Sequence, residues 1–274
     1  METVPAAVHT TRLQVRLRFI ALLTVFLLAS CGPPSVEIPE ISLDADADRL
    51  LFERGSEALE LQDWRRAREY FTRIRDNYPQ SQFRAESRLG IGESYELEAS
   101  TEAFIRALNE FEDFLSLYPT HPRAPYAKYK VGMVHFHQMR NAERDQQETL
   151  NAIQEFEDFL ATYPEAQDLI PEVELRLREA RTRFSEHHFT VGRFYYRLDI
   201  YRGAISRFRQ ILEDDPEYSA RDEVFYYLGE SLAAVEDEAQ AIPYFARILN
   251  EFESSDYAEP ARARLNELEA LQDQ

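Results

Sequence analysis

The chain has 274 residues, 44% of them hydrophobic and 30% charged, so it can form one extended domain or two ordinary ones. Its 8 glycines and 13 prolines argue against an all-β or collagen-like protein. With 31 Lys and Arg against 50 Asp and Glu, the net charge is −19, and the only basic run lies near the N-terminus, so nucleic acid is a poor partner. The single cysteine excludes an intrachain disulfide and a zinc site built on several thiolates.

The first thirty residues have the pattern of a secretion signal. Three arginines precede a short apolar run over residues 19–29, which is shorter than the roughly 20 residues that a membrane-spanning helix needs. The run ends in Leu28-Ala29-Ser30-Cys31, which resembles the bacterial lipobox, where the cysteine becomes the lipidated first residue. The alternatives are an ordinary cleavage site beside a chance cysteine, or a buried hydrophobic helix. We predict a signal peptide over residues 1–30 and lipidation at Cys31.

Residues 31–46 are predicted to be a flexible tether behind the lipid anchor. This segment contains Pro33, Pro34, Pro39 and acidic residues, a composition that does not favour a packed core. Gly32 follows the cysteine, whereas an Asp at that position favours inner-membrane retention in lipoproteins of enteric bacteria. By that resemblance, the predicted location is the outer membrane, lipid-anchored and facing the periplasm.

Five copies of one spacing pattern occupy most of the remaining chain. In each copy an alanine is followed by an aromatic residue after four positions, an apolar residue after three more and, in four copies, a proline after five more. A glycine also precedes each alanine. In three copies it stands twelve positions before the alanine, and in the other two copies the distance is longer by three and by eight residues. The alanines are Ala67, Ala107, Ala152, Ala204 and Ala241, and the glycines are Gly55, Gly92, Gly132, Gly192 and Gly229.

This pattern resembles the tetratricopeptide repeat, a helix–turn–helix unit of 34 residues. The small residues let helix A and helix B approach closely, the aromatic residue packs into the next repeat, and the proline ends helix B. One repeat cannot bury its apolar face alone, so the repeats must stack. We predict an all-α fold with residues 47–274 as a repeat domain, its five repeats stacked as a right-handed superhelix, at about 48–82, 85–122, 125–167, 171–218 and 221–256.

Three departures from the regular repeat are expected. Apolar residues recur at steps of three and four from Val173 to Leu198, which predicts one long helix from about Pro171 to Leu198, leading into repeat four. At 1.5 Å per residue it would be roughly 40 Å long. Residues 138–148 are predicted to be a polar loop within repeat three. A last helix, over residues 258–272, is predicted to cap the stack.

Three short sequence segments resemble motifs of a particular family. They are Tyr118-Pro-Thr-His121-Pro122 followed by Tyr126, Tyr129 and Gly132; Arg144-Asp145-Gln-Gln147; and Phe194-Tyr-Tyr196 with Tyr201-Arg-Gly203-Ala204 and Arg207. Together with the lipobox and the repeats, they resemble the BamD family of lipoproteins, which belong to the machinery that inserts β-barrel proteins into the outer membrane. The resemblance covers about residues 31–255. The chain departs from it at Asp215, where the family usually has Tyr before the fourth proline, and in its strong acidity.

The resemblance implies a non-catalytic scaffold. Its expected partners are the barrel-inserting subunit, which is BamA-like, other assembly lipoproteins and unfolded outer membrane protein precursors. Two alternatives are a pilotin-like lipoprotein and a division or peptidoglycan-associated repeat lipoprotein of the cell envelope.

A groove for extended peptide is expected on the helix A side of the first three repeats, because helix A lines the groove in such repeats. The alternative is that Tyr126, Tyr129 and Phe136 pack under the long loop or the long helix. The candidate groove residues are Phe52, Leu59, Leu89, Glu93, Tyr126, Tyr129 and Phe136.

A docking site for the barrel-inserting subunit is expected in repeat four, which is locally basic. Its candidate residues are Arg193, Arg197 and Arg207, whose guanidinium groups suit carboxylates on a partner. The alternative is pairing within the chain, for example with Asp199, Glu213 or Asp214.

No catalytic residue, metal site or cofactor is expected. His135 and His137 lie two apart on a predicted helix and point to different sides, and His187 and His188 are adjacent. The sequence contains no His-Glu-x-x-His motif, no glycine-rich phosphate loop and no Gly-x-Ser-x-Gly motif.

Overall fold

The computed structural model describes residues 46–272, and within that range the regular secondary structure consists of α-helices. They form five consecutive pairs and one last helix. In chain order they are α1 (Ala47–Glu60), α2 (Trp64–Asn77), α3 (Arg84–Glu98), α4 (Thr101–Leu117), α5 (Ala124–Gln138), α6 (Gln147–Thr162), α7 (Ile170–Arg197), α8 (Tyr201–Asp214), α9 (Arg221–Ala233), α10 (Glu238–Glu251) and α11 (Ala258–Gln272).

The expected all-α fold of five helix pairs, one long helix and a last helix is therefore confirmed. The predicted signal peptide, tether and Cys31 lie outside the described residues. None of the helices between residues 46 and 272 combines the length and the apolar character that crossing a membrane would require.

Each helix pair is held together by a glycine that lies against a phenylalanine ring. A Cβ atom on any of the five repeat glycines would lie 2.5–2.8 Å from that ring, a distance that real Cβ atoms do not adopt. Only glycine therefore lets the two helices approach this closely. The five pairs are Gly55 with Phe71, Gly92 with Phe111, Gly132 with Phe156, Gly192 with Phe208, and Gly229 with Phe245.

The extra residues in repeats two and three do not disturb this contact. In repeat two they lengthen the beginning of the second helix, since α4 begins at Thr101, well before Ala107. In repeat three, the loop between α5 and α6 holds most of them and is organised by the buried side chain of Gln146. Its amide donates to the backbone carbonyls of Asn141, at 2.8 Å, and of Arg144, at 2.9 Å, while Thr149 Oγ1 donates to its carbonyl oxygen at 2.9 Å. The polar loop is thus tied down by its own hydrogen bonds.

The second helix of each pair ends in the same way. The residue after its last turn donates its backbone N–H to the carbonyl four positions earlier, and in the first four repeats a proline follows. That residue is aromatic in four repeats, as in Tyr118 and Tyr163, whose rings lie 5.3 and 5.7 Å from Phe114 and Phe159. In repeat four it is Asp215, which is 2% exposed.

Asp215 replaces the aromatic contact with a polar one. Its Oδ2 accepts hydrogen bonds from Arg178 and from Ser185 Oγ, both on α7, the latter at 2.9 Å. A buried carboxylate is tolerated only with such partners, because ionised groups lose their hydration on burial. The end of α8 is therefore bound to the middle of the long helix.

The long helix serves two repeats. In its first half Val173, Leu177 and Ala180 are buried in one cluster with Phe156 and Phe159 of α6. In its second half Gly192 makes the contact with α8. Leu198, where the apolar spacing in the sequence ends, is 53% exposed, because it follows the last helical turn.

The last helix closes the apolar face of repeat five. Ala261 and Leu268 of α11 are buried in one cluster with Phe225 and Phe245, while most of the other described side chains of α11 are exposed. Arg264 of α11 also forms an ion pair with Glu230 of α9 at 2.6 Å. A helix that is apolar on one side and polar on the other is what a stack of repeats needs at its end.

The glycine–phenylalanine contact predicts that Gly132→Ala destabilises the protein. Its Cβ would lie 2.5 Å from the Phe156 ring, so overpacking of about 1–3 kcal/mol should exceed the roughly 1 kcal/mol gained from the helix propensity of alanine. Urea unfolding followed by circular dichroism measures the difference. Adding Phe156→Leu should recover part of the loss, since the smaller side chain leaves room for the methyl group.

The matched control is Gly203→Ala in α8, where the nearest contact of a Cβ would be the Tyr195 side chain at 3.1 Å. This variant should be close to wild type in stability. If Gly132→Ala were as stable as Gly203→Ala, the close contact would not be what excludes other residues.

Candidate interaction surfaces

The helix-A face, as we name the side formed by α1, α3 and α5, is partly covered by its own side chains. In repeat one, Phe52 and Leu59 are partly buried against the core cluster that contains Phe71. The Phe52 ring stacks on Phe83, with 4.9 Å between centroids, and lies 5.7 Å from Phe71. The first repeat therefore offers the edges of apolar side chains to a ligand, rather than a fully exposed apolar surface.

One predicted groove residue is not on an accessible surface. Leu89 is 1% exposed and belongs to the core cluster that contains Phe104 and Ala127. The neighbouring helix α5 packs over it, so Leu89 stabilises the contact between repeats two and three. A groove on this face does not include it.

Glu93 and Tyr126 form a partly buried polar pair on the helix-A face. Burial raises the pKa of the Glu93 carboxyl, while a hydrogen bond from Tyr126 acts in the opposite direction. Burial, followed by the nearby Glu93 charge, also raises the pKa of the Tyr126 hydroxyl. The guanidinium of Arg123 lies over the Tyr126 ring at 4.3 Å and approaches Glu93 and Glu86 only to 3.8 and 3.7 Å.

A second carboxylate on this face, Glu96, is paired with positively charged or titratable side chains of the chain itself. It is buried, and its oxygens lie 2.5 Å from Lys130 Nζ and 3.4 Å from His137 Nε2. The ring of His137 in turn stacks on Phe104, with 6.4 Å between centroids. The charges that the sequence places on this face are thus largely compensated across repeats two and three.

Tyr129 and Phe136 lie beside the beginning of the long helix, as the packing alternative expected. Their rings are 6.5 and 6.3 Å from Phe156, and the Arg176 guanidinium of α7 is 5.4 Å from the Phe136 ring. Burial, followed by the charge of Glu172, raises the pKa of the Tyr129 hydroxyl. Both side chains nevertheless remain partly exposed, so they can also contact a ligand.

The three predicted docking arginines have different surroundings. Arg193 is engaged within the chain, since its Nη1 lies 2.9 Å from Glu223 and its guanidinium lies 4.0 Å from the centre of the Tyr227 ring. Its partner, on α9, is none of the three acids that the sequence suggested. Arg193 therefore stabilises the contact between repeats four and five.

Arg207 contacts a buried histidine instead of a carboxylate. Its Nη1 lies 3.3 Å from His188 Nδ1, so Nδ1 must be unprotonated to accept this hydrogen bond. Burial, then the charge of Arg207 and then that of His187, lowers the pKa of His188 to about 4, although Asp214 acts in the opposite direction. His188 is therefore neutral at physiological pH.

Arg197 is exposed at the end of α7, and no ion pair engages it within residues 46–272. Near it in the chain are exposed apolar side chains that the sequence did not identify as a surface. They are Phe194, Leu198 and Ile200, which are 50%, 53% and 48% exposed. We name Phe194, Arg197, Leu198 and Ile200 the α7–α8 corner. Periodicity assigns such residues to a helix face, but does not show where the neighbouring helices stop covering it.

The backbone of the α7–α8 corner is ordered. Asp199 adopts a left-handed conformation, with φ of 57°, and accepts a hydrogen bond from the Tyr201 hydroxyl at 2.6 Å. The backbone N–H of Ile200 donates to the Tyr195 carbonyl at 3.0 Å. The corner therefore presents its apolar and basic side chains from a fixed turn.

The part of the chain that the structure describes contains no group of three or more His, Cys, Asp or Glu residues suited to a metal ion. His135 and His137 are separately paired, with Glu148 at 2.7 Å and with Glu96. These histidines serve contacts between helices.

Comparison with known proteins gives a match along most of the chain. A family model described as YfiO, outer membrane lipoprotein, matches residues 44–236, and a tetratricopeptide repeat model matches residues 223–255. The outer membrane protein assembly factor BamD of Caulobacter vibrioides is 24% identical over 215 residues, which cover 78% of this chain and 69% of that protein.

Solved structures of repeat proteins are also similar. The TPR2AB domain of yeast Sti1, in its pHSP90 complex, is 10% identical with a TM-score of 0.43, covering 81% of this chain and 84% of that one. MamA from Desulfovibrio magneticus RS-1 is 17% identical with a TM-score of 0.33, covering 76% of this chain and 97% of that one.

The Arg207–His188 contact predicts a pH dependence of stability. Between pH 6.5 and about 4 the unfolded chain binds a proton at His188 that the folded chain does not. The contribution of neutral His188 is therefore present above pH 6.5 and is lost as the pH falls to about 4, by about 2–3 kcal/mol. His188→Leu should remove this part of the pH dependence in urea unfolding.

Titration of the His188 ring by NMR tests the cause. Arg207→Gln should raise the pKa of His188, because it removes a neighbouring positive charge. Arg209→Gln, on the same helix but bonded to Gln240, should leave the titration unchanged. An unchanged pKa in Arg207→Gln would contradict the assignment.

Proposed function

The chain belongs to the YfiO family of outer membrane lipoproteins, and we propose on that basis that it is a non-catalytic scaffold of the machinery that assembles outer membrane β-barrel proteins. The name of its relative from Caulobacter vibrioides, an outer membrane protein assembly factor, supports this role. A stack of helix pairs supports it as well, because such stacks bind other polypeptides along extended surfaces. The same family match argues against a pilotin-like or a division-associated lipoprotein.

The proposed location is the periplasmic side of the outer membrane. Acylation of Cys31 would anchor the chain there, since several acyl chains hold a protein far more firmly than one. Residues 32–46 would then separate the first helix from the membrane surface. The description of the family as outer membrane lipoproteins supports this arrangement.

The α7–α8 corner is the proposed docking site for the barrel-inserting, BamA-like subunit. The observation that carries it is Arg197, an exposed guanidinium with no ion pair among the described residues of an acidic chain. A guanidinium surrounded by Phe194, Leu198 and Ile200 can be desolvated by a partner, and a desolvated bidentate pair with a carboxylate is strong. Arg207 lies on the following helix, while Arg193 would position α9.

The helix-A face is the proposed site for unfolded precursors. Tyr126, Tyr129 and Phe136 are partly exposed there, and Arg123 lies over Tyr126 without a close ion pair. Aromatic rings and partly compensated charges suit an extended peptide with aromatic side chains. Other assembly lipoproteins are expected in the same complex.

The docking proposal predicts that Arg197→Glu weakens binding of the barrel-inserting subunit by about 10- to 100-fold, which corresponds to about 1.4–2.8 kcal/mol. The thermal midpoint should stay nearly unchanged, because Arg197 is exposed and has no ion pair within residues 46–272. Calorimetric titration of the full chain in detergent measures the affinity. A charge reversal of the opposing carboxylate on the partner should restore part of it.

Arg262→Glu on α11 is the control, because it makes the same charge change at an exposed residue far along the chain. It should bind like wild type. If Arg197→Glu binds as tightly as Arg262→Glu, docking at the corner is refuted, whereas the assignment to the family is unaffected.

The precursor proposal predicts a position-dependent crosslink. A photoreactive phenylalanine at Tyr129 should crosslink to a peptide from the end of a barrel precursor, because this position lies on the helix-A face. The same group at Glu112, an exposed residue of the second helix in repeat two, should not. Equal yields from the two positions would rule out this face as the binding site.

A further inference from the structure

A cavity of about 570 Å³ lies between the start of α5 and the connection from α6 to α7. Its size is that of a pocket for a small ligand or for a few residues of a peptide. It borders the helix-A face, with which it shares Arg123 and Tyr126. The residues that line it are Pro122, Arg123, Pro125 and Tyr126 on one side, and Thr162, Tyr163, Pro164, Glu165, Ala166, Gln167, Asp168 and Leu169 on the other.

Two other repeats have a polar contact at the same place. In repeat one, Ser81 Oγ donates to Asp48 Oδ2 at 2.6 Å. In repeat five, Ser255 Oγ donates to Asp222 Oδ2 at 2.5 Å. This serine–aspartate bridge joins the first turn of helix A to the connection that follows helix B. Repeat five also has a cavity here, of about 430 Å³, but carboxylates and serines form most of its wall.

In repeat three the bridge is missing and the wall is apolar. The residues equivalent to the aspartate and the serine are Pro125 and Ala166, neither of which has a polar side chain. With them, the wall consists of proline rings, aliphatic side chains and the rings of Tyr126 and Tyr163. Since repeats one and five fold with the polar bridge, the helix pair itself does not require this apolar wall.

The polar groups of the wall suit a basic segment and its backbone carbonyls. The Gln167 side-chain amide donates one N–H to the Pro164 carbonyl at 3.1 Å and has a second N–H for another acceptor. Glu165 and Asp168 are exposed, and no cation among residues 46–272 pairs with them. Arg123 lies on the opposite side of the cavity, over the Tyr126 ring. The connection between α6 and α7 therefore presents negative charge beside the apolar wall.

An extended segment rich in proline matches this wall. The polyproline II helix makes no internal hydrogen bonds, and one turn of three residues is about 9 Å long, so its carbonyls remain available to side-chain donors. Grooves lined with aromatic side chains bind such segments, and a segment that is already extended loses little entropy on binding. A β-strand would need a sheet edge to pair with, which the helices between residues 46 and 272 do not offer.

We propose that this cavity binds a proline-rich, basic segment of a partner protein. Its proline rings pack on Tyr163 and beside Tyr126, and Gln167 donates to one of its backbone carbonyls. A basic side chain next to the prolines pairs with Glu165 and Asp168. The net charge of −19 of the chain favours the approach of such a segment. The site goes beyond the proposed docking corner and the proposed precursor site.

A peptide of six prolines followed by two arginines is the probe. In NMR spectra of the full chain, it should shift the signals of the Gln167 side-chain amide and of the Leu169 methyl groups. One control peptide has glycine and serine in place of the prolines, so it keeps the charge but not the preference for polyproline II. A second control ends in two glutamates, so it keeps the backbone but reverses the charge. Both controls should bind at least tenfold more weakly.

A double variant tests the wall. Pro125→Asp combined with Ala166→Ser introduces the serine–aspartate bridge of repeats one and five, and an aspartate in the first turn of a helix is favourable. The variant should therefore stay folded, which circular dichroism checks, while its affinity for the probe falls at least tenfold. Ala166→Ser alone lacks the acceptor for the bridge and should bind nearly as tightly as wild type.

A surface variant tests the charge without changing the wall. Glu165→Gln combined with Asp168→Asn should weaken binding of the probe severalfold at low salt, and the difference should disappear at high salt because exposed charges are screened. The matched control is Glu253→Gln combined with Asp256→Asn, which removes two exposed carboxylates from the equivalent connection of repeat five. This control should bind like wild type.

Several outcomes would overturn the proposal: no binding of the probe, equal binding of either control peptide, or wild-type affinity in the folded bridge variant or in Glu165→Gln/Asp168→Asn. A precursor peptide that shifts the same signals and displaces the probe would assign the cavity to the precursor site instead, and would also overturn it. The crosslink from Tyr129 and the binding of the barrel-inserting subunit are measured separately, so failure here leaves the proposed function unaffected.

Discussion

A glycine pressed against a phenylalanine ring is the contact on which the rest of the structure depends. It brings the two helices of every repeat so close that any side chain on the glycine would enter the ring. In repeat one a second glycine, Gly90 of the next repeat, lies against the other side of Phe71, where its Cβ would be 2.5 Å away. The same ring thus sets the spacing within a repeat and the approach of the next one.

Because the contact is what matters, the number of residues between glycine and phenylalanine can vary. Repeat three places eight additional residues in that interval and still forms the pair between Gly132 and Phe156. The long helix is another variation in the lengths of the repeat elements. Its first half packs on repeat three, and its second half forms the first helix of repeat four. The buried pair between Asp215 and Arg178 then ties the end of repeat four back to this helix.

The distribution of charge separates structural arginines from those available to partners. Arg193 has a carboxylate and an aromatic ring within the chain, so its removal would disturb the contact between repeats four and five. Arg197 has neither an ion pair nor a ring contact among the described residues and stands in an apolar surrounding, where a partner's carboxylate could be desolvated. On the helix-A face, compensated carboxylates leave the aromatic edges as the main accessible feature.

The sequence alone determined the repeats, because the offsets of glycine, alanine, aromatic residue and proline follow from contacts within one helix pair. It also determined the long helix and the last helix, whose apolar spacing is local. Only the tertiary structure decided that Leu89 is buried, that Leu198 is exposed, that Arg193 pairs with Glu223 and that Asp215 is bound to Arg178. The reason is that periodicity identifies the apolar face of a helix, whereas burial and pairing depend on which distant helix covers that face and where it ends.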